Sequence, residues 1–129
     1  MIANGDISCP DMALEAISAS GAAGVMVGRG AQGRPWLLAQ IGDVLAGRKM
    51  RPIPTIRERH ELMRMHLNDM IAHYGPAAMR LARKHIAWYA HGLPGSAELR
   101  DVANNTTDSV EVFAAVDAFF GALIEQEAA

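Results

Sequence analysis

The side chains with the greatest chemical potential sit in two short turns. Asn4-Gly5-Asp6 follows the apolar start Met1–Ala3, and Gly28-Arg29-Gly30-Ala31-Gln32-Gly33 follows the apolar stretch Ala22–Val27. Glycines at 5, 28 and 30 let the backbone come close to a ligand, Asn4 and Asp6 tolerate tight turns, and Arg29 adds a permanent positive charge. Two consecutive strand-helix units whose strand ends offer amides beside a helix N-terminus form a site for an anion, with phosphate the natural occupant. In a (β/α)8 barrel that site is commonly built by the loops after strands seven and eight. Gly28, Gly30 and Gly33 also match GxGxxG between a strand and a helix. No strand ending in an acid lies ~20 residues further on, as a dinucleotide-binding unit requires, and Asp43 is too close and inside a helix. Taken singly, each glycine is also explained by a plain turn.

A second constellation lies on one helix. Arg80, Lys84, Ala87 and His91 recur at helical spacing with Arg83 alongside, on a face away from the apolar stripe Met79, Ala82, Ile86 and Tyr89. Such a face can neutralise several phosphates, and Trp88 beside it can stack on a base. The alternative is a solvated face paired with acidic residues near the C-terminus, with Trp88 a core or interface residue. Cys9 reads as a small residue at a helix start, and no catalytic residue is assigned. The five histidines show no HxxxH pair and no cysteine partner at zinc spacing, so no metal site is expected. Glu58 and Glu61 read as cap and surface residues.

The elements that must position these groups divide the chain. Residues 1–47 read as two strand-helix units. A helix from Pro10 to Ala19 buries Met12, Ala13, Ala16 and Ile17; Ala22–Val27 is a strand covered on both faces; and a helix from Pro35 to Leu45 is closed by Gly47. Residues 48–54, with three basic residues and two prolines, form a linker. Residues 55–129 are helical. Thr55 and Glu58 make a capping box for a helix burying Ile56, Met63, Leu67, Met70 and Tyr74, which stops at Gly75. A helix opened by Pro76 carries the basic face, a short one runs from Ala97 to Ala103, and a last one buries Phe113, Val116, Phe120, Leu123 and Ile124 behind Asp108 and Glu111. The fold class is α/β plus all-α: two β/α units followed by a small helical bundle, mostly helical overall.

Composition sets the outer limits. The chain has 129 residues, half of them hydrophobic and a fifth charged, which suits a globular protein and excludes disorder and collagen. No apolar run approaches ~18 residues, the start lacks a signal peptide's pattern, and a single cysteine makes no internal disulfide, so no membrane and a cytoplasmic location are expected. Charge is segregated: residues 1–28 carry −3, residues 29–100 carry +7 and residues 101–129 carry −6. That layout suits a middle segment that meets a polyanion, or blocks that fold back and neutralise one another.

Three motifs in order and spacing, IANGDI at 2–7, GVMVGRGAQGRPW at 24–36 and ARKHIAWY at 82–89, resemble the C-terminal portion of a bacterial tRNA-dihydrouridine synthase over nearly the whole chain. The resemblance implies the last two β/α units of a TIM barrel that binds FMN, then a helical domain that holds tRNA. It implies reduction of uridine by FMN, recharged by NADPH or NADH, with hydride going to C6 and a cysteine elsewhere protonating C5. On this likeness Asn4, Gly5, Asp6, Gly28 and Arg29 hold the FMN phosphate with Gly30 beside them. On the likeness Arg83, Lys84 and His85 belong to the RNA-facing helix, Arg80 and Trp88 join them by helical spacing alone, and Arg100 and Asn104 fit the family's pattern before the last helix. A (β/α)8 barrel needs ~250 residues. Six strands, the general acid and the ring-binding residues are therefore expected to lie outside this chain, which is expected to be inactive alone and to pair with the rest of a barrel or with itself. The rival readings are a stand-alone RNA-binding helical module and part of another flavin- or phosphate-binding barrel.

Overall fold

The computed structural model describes all residues, 1–129, and is mostly helical with one two-stranded sheet. The chain divides into two compact units, Met1–Ile53 and Pro54–Ala129.

In the first unit, β1 (Ile2–Asn4) and β2 (Gly24–Met26) pair in parallel with Asn4 opposite Met26, so their C-terminal ends lie side by side. The crossover between them is α1 (Pro10–Ser20), opened by Pro10 and Asp11 and closed by Gly21 at φ 69°. The left-handed backbone there suits a residue without Cβ. After β2 a single 3-10 turn, Arg29–Ala31, leads to α2 (Trp36–Leu45). The core is small: Ile7, Ala13, Leu37 and Ile41, with Ala16, Val25, Val27 and Leu45 against it.

Two expectations need correction here. The second strand is three residues long and is not covered on both faces, since Met26 is 56% exposed, as is Ile2, the partner of Gly24, at 60%. With only two strands, α1 and α2 build one core, and the other sheet face keeps its apolar side chains in solvent. Met12 is also exposed, because only Ala13 of α1 lies deep enough to be fully buried.

Residues 48–51 fasten onto α2. Asp43, buried, accepts from the Arg51 guanidinium at 2.7 and 3.0 Å and from its backbone N–H at 3.1 Å, while Gln40 donates to the Arg51 carbonyl at 3.2 Å. The Arg51 hydrogen bonds, side chain first, outweigh burial and hold the Asp43 carboxyl far below the usual carboxylate range.

The second unit is a bundle of four helices: α3 (Ile56–Tyr74), α4 (Ala78–Ala90), α5 (Ser96–Asn105) and α6 (Ser109–Ala128). The capping box is present: the Glu58 N–H donates to Thr55 Oγ1 and the Thr55 N–H to Glu58 Oε1. Gly75 at φ 60° ends α3, and a 3-10 turn over Gly75–Ala77 redirects the chain. Met63, Leu67 and Met70 of α3, Met79, Ala82, Ile86 and Tyr89 of α4, and Val112, Val116, Phe119, Phe120 and Leu123 of α6 are buried. Tyr74 is not: it falls on the last turn of α3 with its ring edge-on to His73, and is exposed. No helix is long and apolar enough to cross a membrane.

Across α3 and α6 the basic and acidic blocks do meet. Asp117 receives Arg64 Nη1 at 2.6 Å and lies 2.7 Å from His60 Nε2, while His60 stacks on Phe120 and Arg64 lies over Phe113. Burial works to raise the Asp117 pKa, but hydrogen bonds from His60 and Arg64 prevail and it is lowered. A carboxylate with a lowered folded-state pKa contributes stability above its unfolded value of about 3.9, and that contribution disappears as pH falls through the folded value. Asp117→Asn should therefore reduce the urea midpoint at pH 7, with the gap to wild type closing as pH drops below about 4. A gap constant from pH 7 to pH 2 would show that this charge does not couple to folding.

Candidate functional site

The two turns meet in the first unit because the parallel register puts both strand ends on one edge. The first turn is drawn tight by the Ile7 N–H, which donates to the Gly5 carbonyl at 2.7 Å, and is anchored by the buried Ile7 side chain. The second is closed by the Ala31 N–H donating to the Gly28 carbonyl at 3.1 Å. Opening that turn, the Arg29 and Gly30 N–H groups have no acceptor within it. Asn4, Gly5, Asp6, Gly28 and Arg29 line one shallow concavity, and Asp6, Ser8, Arg29, Gly30 and Arg34 line another that shares Asp6 and Arg29.

Inside this region the residues have distinct roles. Arg29 and Asp6 form an exposed ion pair at 2.7 Å, and an ionised Asp6 can only accept hydrogen bonds. Gly30 is where the turns touch: a Cβ there would stand 2.1 Å from the Ile7 carbonyl oxygen and 3.2 Å from the Ser8 Cα. Its lack of a side chain is thus needed for backbone to pass backbone. Gly5 and Gly28 have open space at the same position, which leaves their faces clear for a ligand. Cys9 is the N-cap of α1, without a side-chain capping hydrogen bond.

Arg34 was not singled out from the sequence. Its Nε donates to the Gly30 carbonyl at 2.9 Å and its Nη2 to the Ser8 carbonyl, joining the two turns. The one sequence signal was its place at the end of the GRGAQGR run.

In the second unit the basic helix is α4. Arg80, Lys84 and His91 are exposed, and the Lys84 ammonium lies 5.9 Å from the centre of the Trp88 ring, a cation-π distance. Arg83, on the same helix, reaches inward. Its Nε donates to the Ala103 carbonyl at 3.0 Å, with Nη2 3.5 Å from the Thr106 carbonyl, so it serves the C-terminal end of α5. His85 is half-buried between His66, with ring centres 4.8 Å apart, and Trp88, at 5.2 Å. Burial first, then the neighbouring His66 and Lys84, lower the His85 pKa, so it stands mainly neutral at pH 7. His66 in turn lies 3.2 Å from the Tyr89 hydroxyl.

Arg100 and Asn104 fall within α5, ahead of α6, and both are exposed. The turn functions go to other residues: Asp108 caps α6 by accepting from the Val110 N–H, and Asn105 bonds back to Asp101. Arg83 ties α4 to Ala103, next in sequence to the exposed Asn104. No three His, Cys, Asp or Glu side chains gather in a way that could hold a metal ion.

Comparison with known proteins bears on both units. A family model described as dihydrouridine synthase matches residues 1–124. A "Probable tRNA-dihydrouridine synthase" of Rickettsia prowazekii (strain Madrid E) is 41% identical over 126 residues, 97% of this chain and 38% of that protein. The "tRNA-dihydrouridine synthase B" of Xanthomonas axonopodis pv. citri is 38% identical over 125 residues, 96% of this chain and 38% of that protein. A "Probable tRNA-dihydrouridine synthase" of Rhodobacter capsulatus is 41% identical over 130 residues, 100% of this chain and 39% of that protein. The chain thus spans less than two fifths of the length of these curated relatives. With a match from Met1 to Leu123 and Ile124 that takes in both turns and the basic helix, the chain belongs to the dihydrouridine synthase family.

Proposed function

We propose that this chain supplies two parts of a tRNA-dihydrouridine synthase: the turns that hold the phosphate of FMN, and the helical domain that grips tRNA. The observation that carries the reading is the meeting of the two glycine turns around Arg29 in the first unit. The residues fit an anionic group. Arg29 brings a permanent charge, Gly5 and Gly28 leave open space, and the orphan amides of Arg29 and Gly30 are donors with nothing to satisfy within their turn. Asn4 adds a neutral donor and Asp6 steadies Arg29.

FMN held there would, once reduced by NADPH or NADH, supply the hydride for uridine reduction. The residues of this chain bind and orient. Parallel strands β1 and β2 would be the last two of a (β/α)8 barrel, whose other strands would cover the exposed sheet face around Ile2 and Met26. The second unit takes the sugar-phosphate backbone of tRNA on Arg80 and Lys84, with Trp88 offering a ring for stacking and Arg100 and Asn104 of α5 extending the surface. Arg83 and His85 support that face, the first by fastening α4 to α5 and the second by packing against Trp88. These roles belong in the cytoplasm, where tRNA is modified.

Electrophoretic mobility of tRNA with the purified chain tests the RNA half. A shift at 50 mM salt that weakens by roughly ten-fold or more at 200 mM is expected for a few phosphate contacts. No shift at 50 mM overturns it. The phosphate half is tested by the 31P resonance of FMN, expected to broaden with the wild-type chain and not with Arg29→Ala; equal behaviour of the two proteins overturns that half.

A further inference from the structure

We propose that Arg34 is the positioning residue of the phosphate site, setting the spacing of the two turns and supplying the net positive charge of the concavity. The inference rests on the reading of those turns as an anion site.

Two observations lead to it. First, the Arg34 fork bonds backbone of the second turn and of the segment just after the first, through the Gly30 and Ser8 carbonyls, at the point where Gly30 and Ile7 are in backbone contact. Carbonyl oxygens near an anion site repel the anion, and a guanidinium laid across two of them cancels that negative end while fixing both. Second, the charge balance depends on it. Asp6 and Arg29 neutralise each other across 2.7 Å, and Arg34 lines the same concavity without a carboxylate partner among its hydrogen bonds. Asp6, Arg29 and Arg34 together therefore carry one net positive charge, and that net charge is lost when residue 34 is neutral. Its half-buried stem and two anchors make it a fixed charge, whose ordering entropy is already spent before a ligand arrives.

Inorganic phosphate titrated into the 129-residue chain, followed by the Arg29 and Gly30 amide resonances, tests the inference alongside urea unfolding. Arg34→Ala is expected to weaken phosphate binding by about 10-fold or more, through loss of the concavity's net charge and of the fixed spacing between the turns. Arg34→Lys, which keeps the charge but not the fork, should recover part of the affinity. Arg34→Gln, which keeps a donor but not the charge, should recover stability without affinity and flatten the salt dependence. A merely structural arginine would make affinity follow stability through all three variants, and that result overturns the proposal. So does wild-type affinity in Arg34→Ala. If the wild-type chain itself gives no phosphate response, and Arg29→Ala is no different from it, the anion-site reading fails and takes this inference with it.

Discussion

Gly30→Val is expected to unfold or loosen the first unit and to abolish phosphate binding. The first atom added at residue 30 would lie 2.1 Å from the Ile7 carbonyl oxygen, more than an ångström inside normal contact, and the obstacle is backbone rather than a flexible side-chain tip. The turns must separate. Overpacking of this kind costs about 1–3 kcal/mol or more, and a unit of this size, with Ile7, Ala13, Leu37 and Ile41 as its fully buried apolar core, has little to spare. Separation also pulls the Gly30 carbonyl from Arg34 and moves the Arg29 amide, so affinity for phosphate should fall at least about ten-fold. Gly5→Ala is the matched comparison, since its new methyl meets nothing within 4 Å and should leave the urea midpoint near wild type. If the two substitutions shift the midpoint equally, contact between the turns is not what holds this unit.

In the second unit, Arg80→Ala combined with Lys84→Ala should weaken tRNA binding by roughly ten-fold at 50 mM salt and lower the salt slope by about two, one for each lost phosphate contact. Both residues are exposed, so unfolding in urea should be nearly unchanged. Arg83→Ala should behave in the opposite way. It removes a half-buried guanidinium from the Ala103 and Thr106 carbonyls at the end of α5, and leaving such groups unsatisfied costs about 1–3 kcal/mol. Fluorescence anisotropy of labelled tRNA, measured beside urea melts, separates the cases. Should Arg83→Ala lower the salt slope as much as the double variant with no loss of stability, Arg83 contacts RNA directly and the division of labour along α4 is different from the one drawn here. His85 adds little to that slope near pH 7, because burial beside His66 keeps it mainly neutral.

Local rules made much of the molecule legible from residue types alone. Thr55 and Glu58 specify a capping box through three-residue spacing, Gly21 and Gly75 stop their helices where φ turns positive, and the Met79, Ala82, Ile86, Tyr89 stripe repeats at the helical period; each depends on neighbours within about one turn. The motifs around Gly5, Gly28 and Lys84 were equally local, and with them came the family. What could not be read were interactions between residues far apart in the chain. Nothing near Arg34 says that its guanidinium bonds Ser8, 26 positions away, and nothing near Arg83 says that it turns inward to the end of α5. Asp43 reads as one more acid on a helix until Arg51 closes over it. Apolar runs also mislead when the covering layer is not there: Ala22–Val27 has the composition of a strand buried on both faces, yet its burial depends on how many strands and helices lie around it. Residue order by itself therefore determined the helices, their caps, the turns and the kinship. Only the tertiary structure decided which partner each charged side chain takes, because that partner is set by packing between elements and not by neighbours along the chain.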